Sequence, residues 1–447
     1  MNQTMNTCIV ELNDCEIRVA NDDQIILRSP GVAVLDKEDL HVGEAAVKKA
    51  FLNPRTTFNR YWHKLNQDAL PVATRHFRHH ADLVYNHLLK IHQQSGSPQA
   101  LLFAVPGSYS GEQLSMLLGI AAACPFSAVG LVDAAVAGTA AIAATGEYQH
   151  IDIHLHQTVI TRLNVADNVT RTAVETVAEY GLHKIYSAVA GLIADLFIQQ
   201  SRFDPLHHAV TEQSLYDQLP ACLQALRSGR EMQLEIRHRD RTHQAKLPRD
   251  VLLHKLQPVY AQIREHISPA LPCLVGDRLA ALPGFTDTLP DYTVIDSEAV
   301  FKSCRKFATQ IHSPGPELSF ITSLPAQQTI TVSKPAPLKP RPDQPATENV
   351  THILYRHQAY PIGDGTIYLS GAGHVTNRKP EDAACSVALN QIGVAVLTVL
   401  STVQVSINGR PVNKTGQLQP GDRVQCGKGG VDYEFIRVLN AHGSPQT

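Results

Sequence analysis

Asp152 stands between two histidines of its own parity, His150 and His154, and His156 continues the alternation. On one continuous strand all four side chains would project from one face, and Asp and His are zinc ligands. Side chains two apart on a strand lie ~7 Å apart, too far for several to reach one ion without a turn between them. The run Ile151 to Thr161 supplies a turn instead. Thr158, Val159, Ile160 and Thr161 form a β-branched run on its far side, which predicts strand, tight turn and strand with the Asp152 carboxylate at the mouth. Such a turn holds phosphate where glycines let backbone N–H groups approach, and here His154 and His156 stand in those places. The spacing favours polar residues around a hairpin that faces a cleft over a metal site.

Other candidates carry less. His76, His79 and His80 have helical spacing, but beside Arg75 and Arg78 they read as a solvated helix face. Arg237, His238, Arg239 and Arg241 form a basic patch on an expected hairpin. With little aromatic residue between them the patch reads as an exposed loop, and no nucleic-acid partner is expected. Ser108 and Ser110 lack the Gly-x-Ser-x-Gly setting of a hydrolase elbow.

The whole-chain balance agrees. Lys and Arg number 39 against 41 Asp and Glu in 447 residues, so no global attraction to nucleic acid or anionic membrane is expected. Hydrophobic residues make up 43% and charged residues 18%, which allows a sizeable core and about three domains. The eight cysteines show no Cys-x-x-Cys spacing and read as small buried hydrophobes in a reducing compartment. No signal peptide and no membrane-spanning run is visible, so a soluble cytoplasmic protein without a membrane partner is expected.

The elements that would position the turn follow in order. Short β runs from Thr7 to Leu35, separated by Asn13-Asp14, Asn21-Asp22-Asp23 and Ser29-Pro30, predict a meander. Ala100 to Val105 reads as a buried strand, Gly111 to Ala123 as a helix capped by Ser110, Ala128 to Val132 as a strand and Asp133 to Ala144 as a helix. That alternation implies parallel pairing. After the hairpin, helices are expected near 182-199, 211-228 and 248-267, then a strand Cys273 to Val275 leading to Gly276-Asp277.

Several stretches together carry a resemblance. They are Ser29-Pro30-Gly31-Val32-Ala33, Val42-Gly43-Glu44-Ala45-Ala46 and Asn53-Pro54-Arg55-Thr56-Thr57, then Ala104-Val105-Pro106, Val132-Asp133-Ala134-Ala135, Leu274-Val275-Gly276-Asp277 and Glu298-Ala299-Val300. In order and spacing they resemble the ATPase domain of the seventy-kilodalton heat-shock chaperones, within the actin-like superfamily. The resemblance implies an α/β, two-lobed actin-like ATPase fold, a duplicated mixed sheet with helices, with lobes over 1-145 and 146-312. It also implies Mg²⁺ with ATP or ADP between two turns of pattern Asp-x-Gly. By that correspondence Glu11 and Asp152 would organise Mg²⁺ and the attacking water. Asn13, Asp14, His154, His156, Gln157, Gly276 and Asp277 would contact nucleotide.

The turns depart from the pattern. The first reads Glu11-Leu12-Asn13-Asp14, with an extra negative charge where phosphate would arrive; the second carries His154 and His156; and Gly276-Asp277 replaces paired glycines. These departures favour a retained fold with the ATPase weakened or lost, hence a pseudo-ATPase acting as a scaffold or regulatory partner-binding protein. The alternative is a working ATPase switch whose lobe closure controls a partner.

The prolines from Pro314 to Pro345 predict a semi-extended linker over 313-349, and the β runs beyond it an all-β sandwich over 350-440. Tyr360-Pro361-Ile362-Gly363, Val405 to Asn413 with Asn408-Gly409, Leu418, Gly421-Asp422 and Gly427 resemble a forkhead-associated domain. Asp364 stands in the phosphate-binding Arg position, and no Ser-x-x-His appears between Gly371 and Leu389. Protein partners are expected through the lobes and this module.

Overall fold

In the computed structural model the described residues are 7–312 apart from 23, 142 and 143, then 318–326. Between 350 and 436 they are all but 356–357, 363–365, 371–372, 381, 390–394, 402, 404, 409, 413, 419 and 427–430. The chain divides into two compact units, Met1–Val332 and Ser333–Thr447.

The first unit is mixed α/β and is organised by its most apolar strand. Every residue of Ala100–Val105 is buried. Leu101, Phe103 and Val105 enter one hydrophobic cluster while Leu102 and Ala104 enter another, as period-two alternation requires of a strand covered on both faces. Thr7–Glu11 pairs parallel to one side of it and Ser127–Asp133 parallel to the other. Thr7–Glu11 also opens the antiparallel meander with Ile17–Asn21 and Gln24–Ser29.

A second sheet repeats this arrangement. Gly146–Ile153 opens an antiparallel meander through Gln157–Val165 and Asn168–Ala178. On its other side it pairs parallel to Cys273–Gly276, which pairs parallel to Tyr292–Ile295. Each sheet therefore has the order parallel, parallel, opening strand, and two antiparallel strands.

Between the sheets lie the helices Ala134–Ala140 and Ala299–Lys306, packed with the inward side chains of both. Where they meet, Ile295 and Val300 pack over Gly138 at ordinary van der Waals distance. Asp133 starts the first of these helices by accepting from the N–H groups of Ala135 (2.9 Å) and Val136 (3.2 Å). Outside the first sheet sit His80–Gln94 and Gly111–Ala122, the latter opened by Ser110 and Gln113 in a reciprocal capping box. Outside the second sit Leu182–Ser201, Ala209–Ala225 and Arg249–Glu265, joined by the hairpin Glu231–His238 with Arg241–Pro248.

Two expectations change. The segment expected as a linker over 313-349 includes two paired strands, Phe320–Ile321 with Ser127–Asp133 and Ser323–Pro325 with Asn168–Ala178. One return segment thus adds a strand to both sheets. Proline density misleads here because Pro325 lies on an outer edge strand, where a missing N–H is tolerated. Residues 313–317 and 327–349 lie outside the described residues. The helix carrying His80 starts only at that residue, and His80 is buried with its Nδ1 2.7 Å from Asn66 Oδ1. His76, His79 and His80 therefore do not share a solvated helical face.

The second unit is built of antiparallel sheets of six and five strands around a core that includes Ile353, Leu369, Val387, Leu397, Tyr433 and Phe435. Its Asn408 turn bonds the neighbouring turn: Asn408 Nδ2 donates to Asp422 Oδ1 (2.7 Å), and Arg423 N–H donates to Asn408 Oδ1 (2.9 Å). Gly363, Asp364, Gly371, Gly409 and Gly427 lie outside the described residues. Among the described residues no helix is long and apolar enough to cross a membrane.

Candidate functional site

The carboxyl ends of Thr7–Glu11, Gly146–Ile153 and Cys273–Gly276 converge, and the turns that follow them meet there. In open α/β sheets this is where ligands bind. Two hairpin turns and a short helix, Asp277–Ala280, bring their polar groups together.

In the first turn the amides of Asn13, Cys15 and Glu16 bond within the protein. Asn13 N–H donates to Glu11 O (3.3 Å), and Glu16 N–H to Asn13 O (3.0 Å). Cys15 N–H donates to Asn13 Oδ1 (3.0 Å). The Asn13 amide reaches across, its Nδ2 donating to Asp152 Oδ2 (2.9 Å) and Ile153 O (3.0 Å). In the second turn His154 N–H donates to Gln157 O (2.8 Å). Leu155 N–H donates to Asp14 Oδ1 (2.7 Å), and His154 Nδ1 lies 3.4 Å from the same oxygen. A turn amide free to cradle an outside anion would have been the sign of a phosphate site; these amides bond the protein itself.

The second turn is sealed from behind. Its carbonyls at His154 and Leu155 accept from Leu182 and His183 N–H, at 2.9 Å each, where the long helix begins. Gly181 permits this approach: a Cβ there would lie 2.5 Å from both His154 O and Gln157 N.

Two buried guanidinium groups complete the arrangement. Arg278 grips Glu11 with both ends of its fork, Nη1 to Oε1 (3.0 Å) and Nη2 to Oε2 (2.8 Å). Its Nη2 also donates to Glu16 O (2.8 Å), and its Nη1 lies 3.9 Å from Asp152 Oδ2. Arg18 holds Asp277 in the same two-pronged way (2.9 and 2.7 Å) and touches Glu16 through Nε. Bidentate pairing of this kind is strong and directional. Both bridges run from the first meander to the short helix after Cys273–Gly276, so they tie the two halves of the unit across the cleft.

The electrostatics follow. Burial tends to raise the Asp152 carboxyl, but Arg278 above all, then His154, His150 and the Asn13 amide, hold it below its ordinary range. Burial opposes ionisation of Asp14 too, and the His154 hydrogen bond and charge with the Leu155 N–H overcome it, so this carboxyl is also lowered. Burial works against the charge on Arg278; attraction and hydrogen bonding from Glu11 win, and its pKa is raised. His150 and His156 are pushed down by burial, His156 to about 4.

What remains is a cavity of about 20 Å³, lined among others by Glu11, Asn13, His150, Asp152 and His154. That is room for about one water molecule. A Cβ on Gly276 would lie 2.6 Å from Asp152 Oδ1, so the third strand closes on the carboxylate directly.

No protein-family model matches the chain, and no curated protein matches it.

Of the residues expected here, Glu11, Asn13, Asp14, Asp152, His154, Gly276 and Asp277 are thus brought together. His156 and Gln157 are not. His156 donates from Nε2 to Asn59 O (3.0 Å) and its ring neighbours His63 and His183. Gln157 Nε2 donates to Ser108 Oγ (3.2 Å). Among the described residues no group of three or more His, Cys, Asp or Glu is placed to hold a metal ion. Sequence reasoning missed Arg18 and Arg278. Four carboxylates predicted in one cleft (Glu11, Asp14, Asp152 and Asp277) demand cations, and Arg278 adjoins one of them.

Proposed function

We propose that the first unit has the two-lobed actin-like, heat-shock-chaperone-like fold, and that its nucleotide cleft is filled by its own side chains. In this reading the protein is a pseudo-ATPase that acts in the cytoplasm as a scaffold or regulatory partner-binding protein. The observation that carries it is Arg278, bidentate on Glu11 and buried in the cleft that Mg²⁺ and the phosphates would occupy. The repeated strand order supports the fold, and the inward-bonded turn amides support the loss of nucleotide. Asp14 is then the resident anion of the second turn, and the two Arg–carboxylate bridges hold the lobes together as a bound nucleotide would. The second unit, with its sheets of six and five strands, is the forkhead-associated-like module, a further protein-docking element. Attached to the lobes through the chain, it is concentrated at any partner they share.

Thermal unfolding with and without millimolar Mg²⁺-ATP or Mg²⁺-ADP tests the reading. A ligand at a hundred times its dissociation constant adds ~2.7 kcal/mol and a plain rise in melting temperature. The expected result is no rise. A rise would establish the opposite reading, a nucleotide-operated switch, and would direct attention to Glu11 and Asp152 in a hydrolysis assay.

A further inference from the structure

The hairpin Glu231–His238 with Arg241–Pro248 carries a surface that the cleft does not explain, and the fold supplies what its sequence lacks. The patch Arg237, His238, Arg239 and Arg241 has no aromatic residue of its own besides histidine. The loop after the long helix brings one in. Phe203 stacks on His243 with ring centroids 4.0 Å apart and planes 13° apart. His208 stacks on His238 at 4.8 Å and 1°, and His207 meets His208 edge-on at 4.7 Å. Phe203 lies 5.7 Å from His238, which joins the two stacks into one ladder. His207 and His208 are exposed, so the ladder ends open to solvent.

Charge surrounds this ladder. Arg202, Arg237, Arg239 and Arg241 are all exposed, and none has an ion-pair partner among the described residues. Against these four cations stand Asp204, Glu235 and Asp240, of which Asp204 accepts from Leu206 N–H and Glu235 from Gln244, neutral donors that leave the carboxylate charge in place. Arg241 and His243 also line a surface groove of about 650 Å³.

We propose that this hairpin tip binds single-stranded nucleic acid, with the guanidinium groups on phosphates and the open end of the imidazole ladder against a base. Stacking on an aromatic face accepts any base, and a positive groove beside it tracks the backbone, which is the chemistry of sequence-tolerant single-strand binding. An acidic protein would use the arginines without the rings. An anionic membrane would use them without the ladder's open face.

Fluorescence anisotropy of the full chain with labelled single strands of about 16 nucleotides, DNA and RNA, at about 50 mM salt tests this. Binding is expected, with log affinity falling against log salt at a slope of about −2.8 for four phosphate contacts. Replacing Arg237, Arg239 and Arg241 by Ala should bring that slope to about −0.7. His207→Ala with His208→Ala should weaken binding about tenfold and leave the slope unchanged. Absent binding to both strands, or binding indifferent to the arginine variant, overturns the proposal. So does equal binding to a duplex, which offers no splayed base. Arginine-dependent binding to phosphatidylserine vesicles without binding to the strands would replace it with a membrane surface.

Discussion

The cleft and the hairpin tip both collect arginines, and they use them in opposite ways. Arg18 and Arg278 are buried, and both ends of each fork meet a carboxylate. Arg237, Arg239 and Arg241 lie exposed on a two-stranded ribbon and are spent on nothing among the described residues. A buried guanidinium must be paired, because an isolated charge in a low-dielectric interior is expensive. An exposed one is hydrated and costs little to leave unpaired. The pairing in the cleft therefore says that its charge is consumed by the fold, while the charge at the tip stays open to solvent.

The sharpest way to break this contrast is to strip one partner from the cleft. Arg278→Ala strips the buried Glu11 carboxylate of its bidentate partner, leaving it only Arg18 at 3.9 Å, and should cost about 3–5 kcal/mol of unfolding free energy, read by urea denaturation. Replacing both partners, Glu11→Leu with Arg278→Leu, should recover only part of that loss, because the buried Glu11 charge goes with its partner while Asp152 and Glu16 O still lose Arg278. If the single variant were as stable as the parent, the bridge would not be closing the cleft. A smaller effect comes from the third strand. Gly276→Ala pushes a methyl group onto Asp152 Oδ1 and should cost about 1–3 kcal/mol.

Histidines sharpen the same comparison through pH. His207 and His208 are exposed, whereas His87 is fully buried and pushed down to about 3 by that burial. Its tautomer follows from its partners. Trp62 Nε1–H can only donate, and it donates to His87 Nδ1 (3.0 Å), so the ring proton sits on Nε2, which faces Ser29 Oγ (2.7 Å). Tyr61 Oη completes the set at 2.7 Å from Nδ1. The unfolded chain binds a proton here below pH ~6.5 that the folded chain refuses until about pH 3. Stability is therefore fully present above pH ~6.5 and falls as pH falls, by about 1.4 kcal/mol per pH unit for this one group. His150 and His156 act with the same sign, so the measurement is a difference: His87→Gln should flatten the slope of stability between about pH 6.5 and 5 by one proton.

The fold's elements were legible where burial leaves a periodic trace. Ala100–Val105 announces a doubly covered strand by its unbroken apolar run, and Ser110 announces the helix it caps. The turn at His154 was legible as well, since β-branched runs flank it. Its partners were not, because Asp14 and Leu155 are remote in sequence and meet only when the two meanders face each other. The strands Phe320–Ile321 and Ser323–Pro325 were hidden for a related reason: two- and three-residue strands have no period to read, and prolines nearby argue for a linker. The ring ladder was invisible at Arg237–Arg241 because Phe203 and His208 arrive from another loop.

The smallest expected effect bears on the tip. Replacing Arg237, Arg239 and Arg241 together by Ala should leave unfolding free energy within about 0.5 kcal/mol of the parent, since exposed side chains with no partner contribute little to stability. Backbone geometry supports this: Arg237, Arg239 and Arg241 flank or form the turn, while the inward positions of the ribbon, Leu234, Ile236, Ala245 and Leu247, stay in the core. Arg239 is the exception to watch, because its φ of 53° is left-handed and alanine gains nothing there. A loss well beyond 0.5 kcal/mol, seen in the same urea titration, would mean that these guanidinium groups hold the ribbon together, and the contrast with Arg278 would fall. An unchanged midpoint alongside a lost salt-dependent affinity would separate the two regions cleanly, one set of arginines serving the fold and the other a partner.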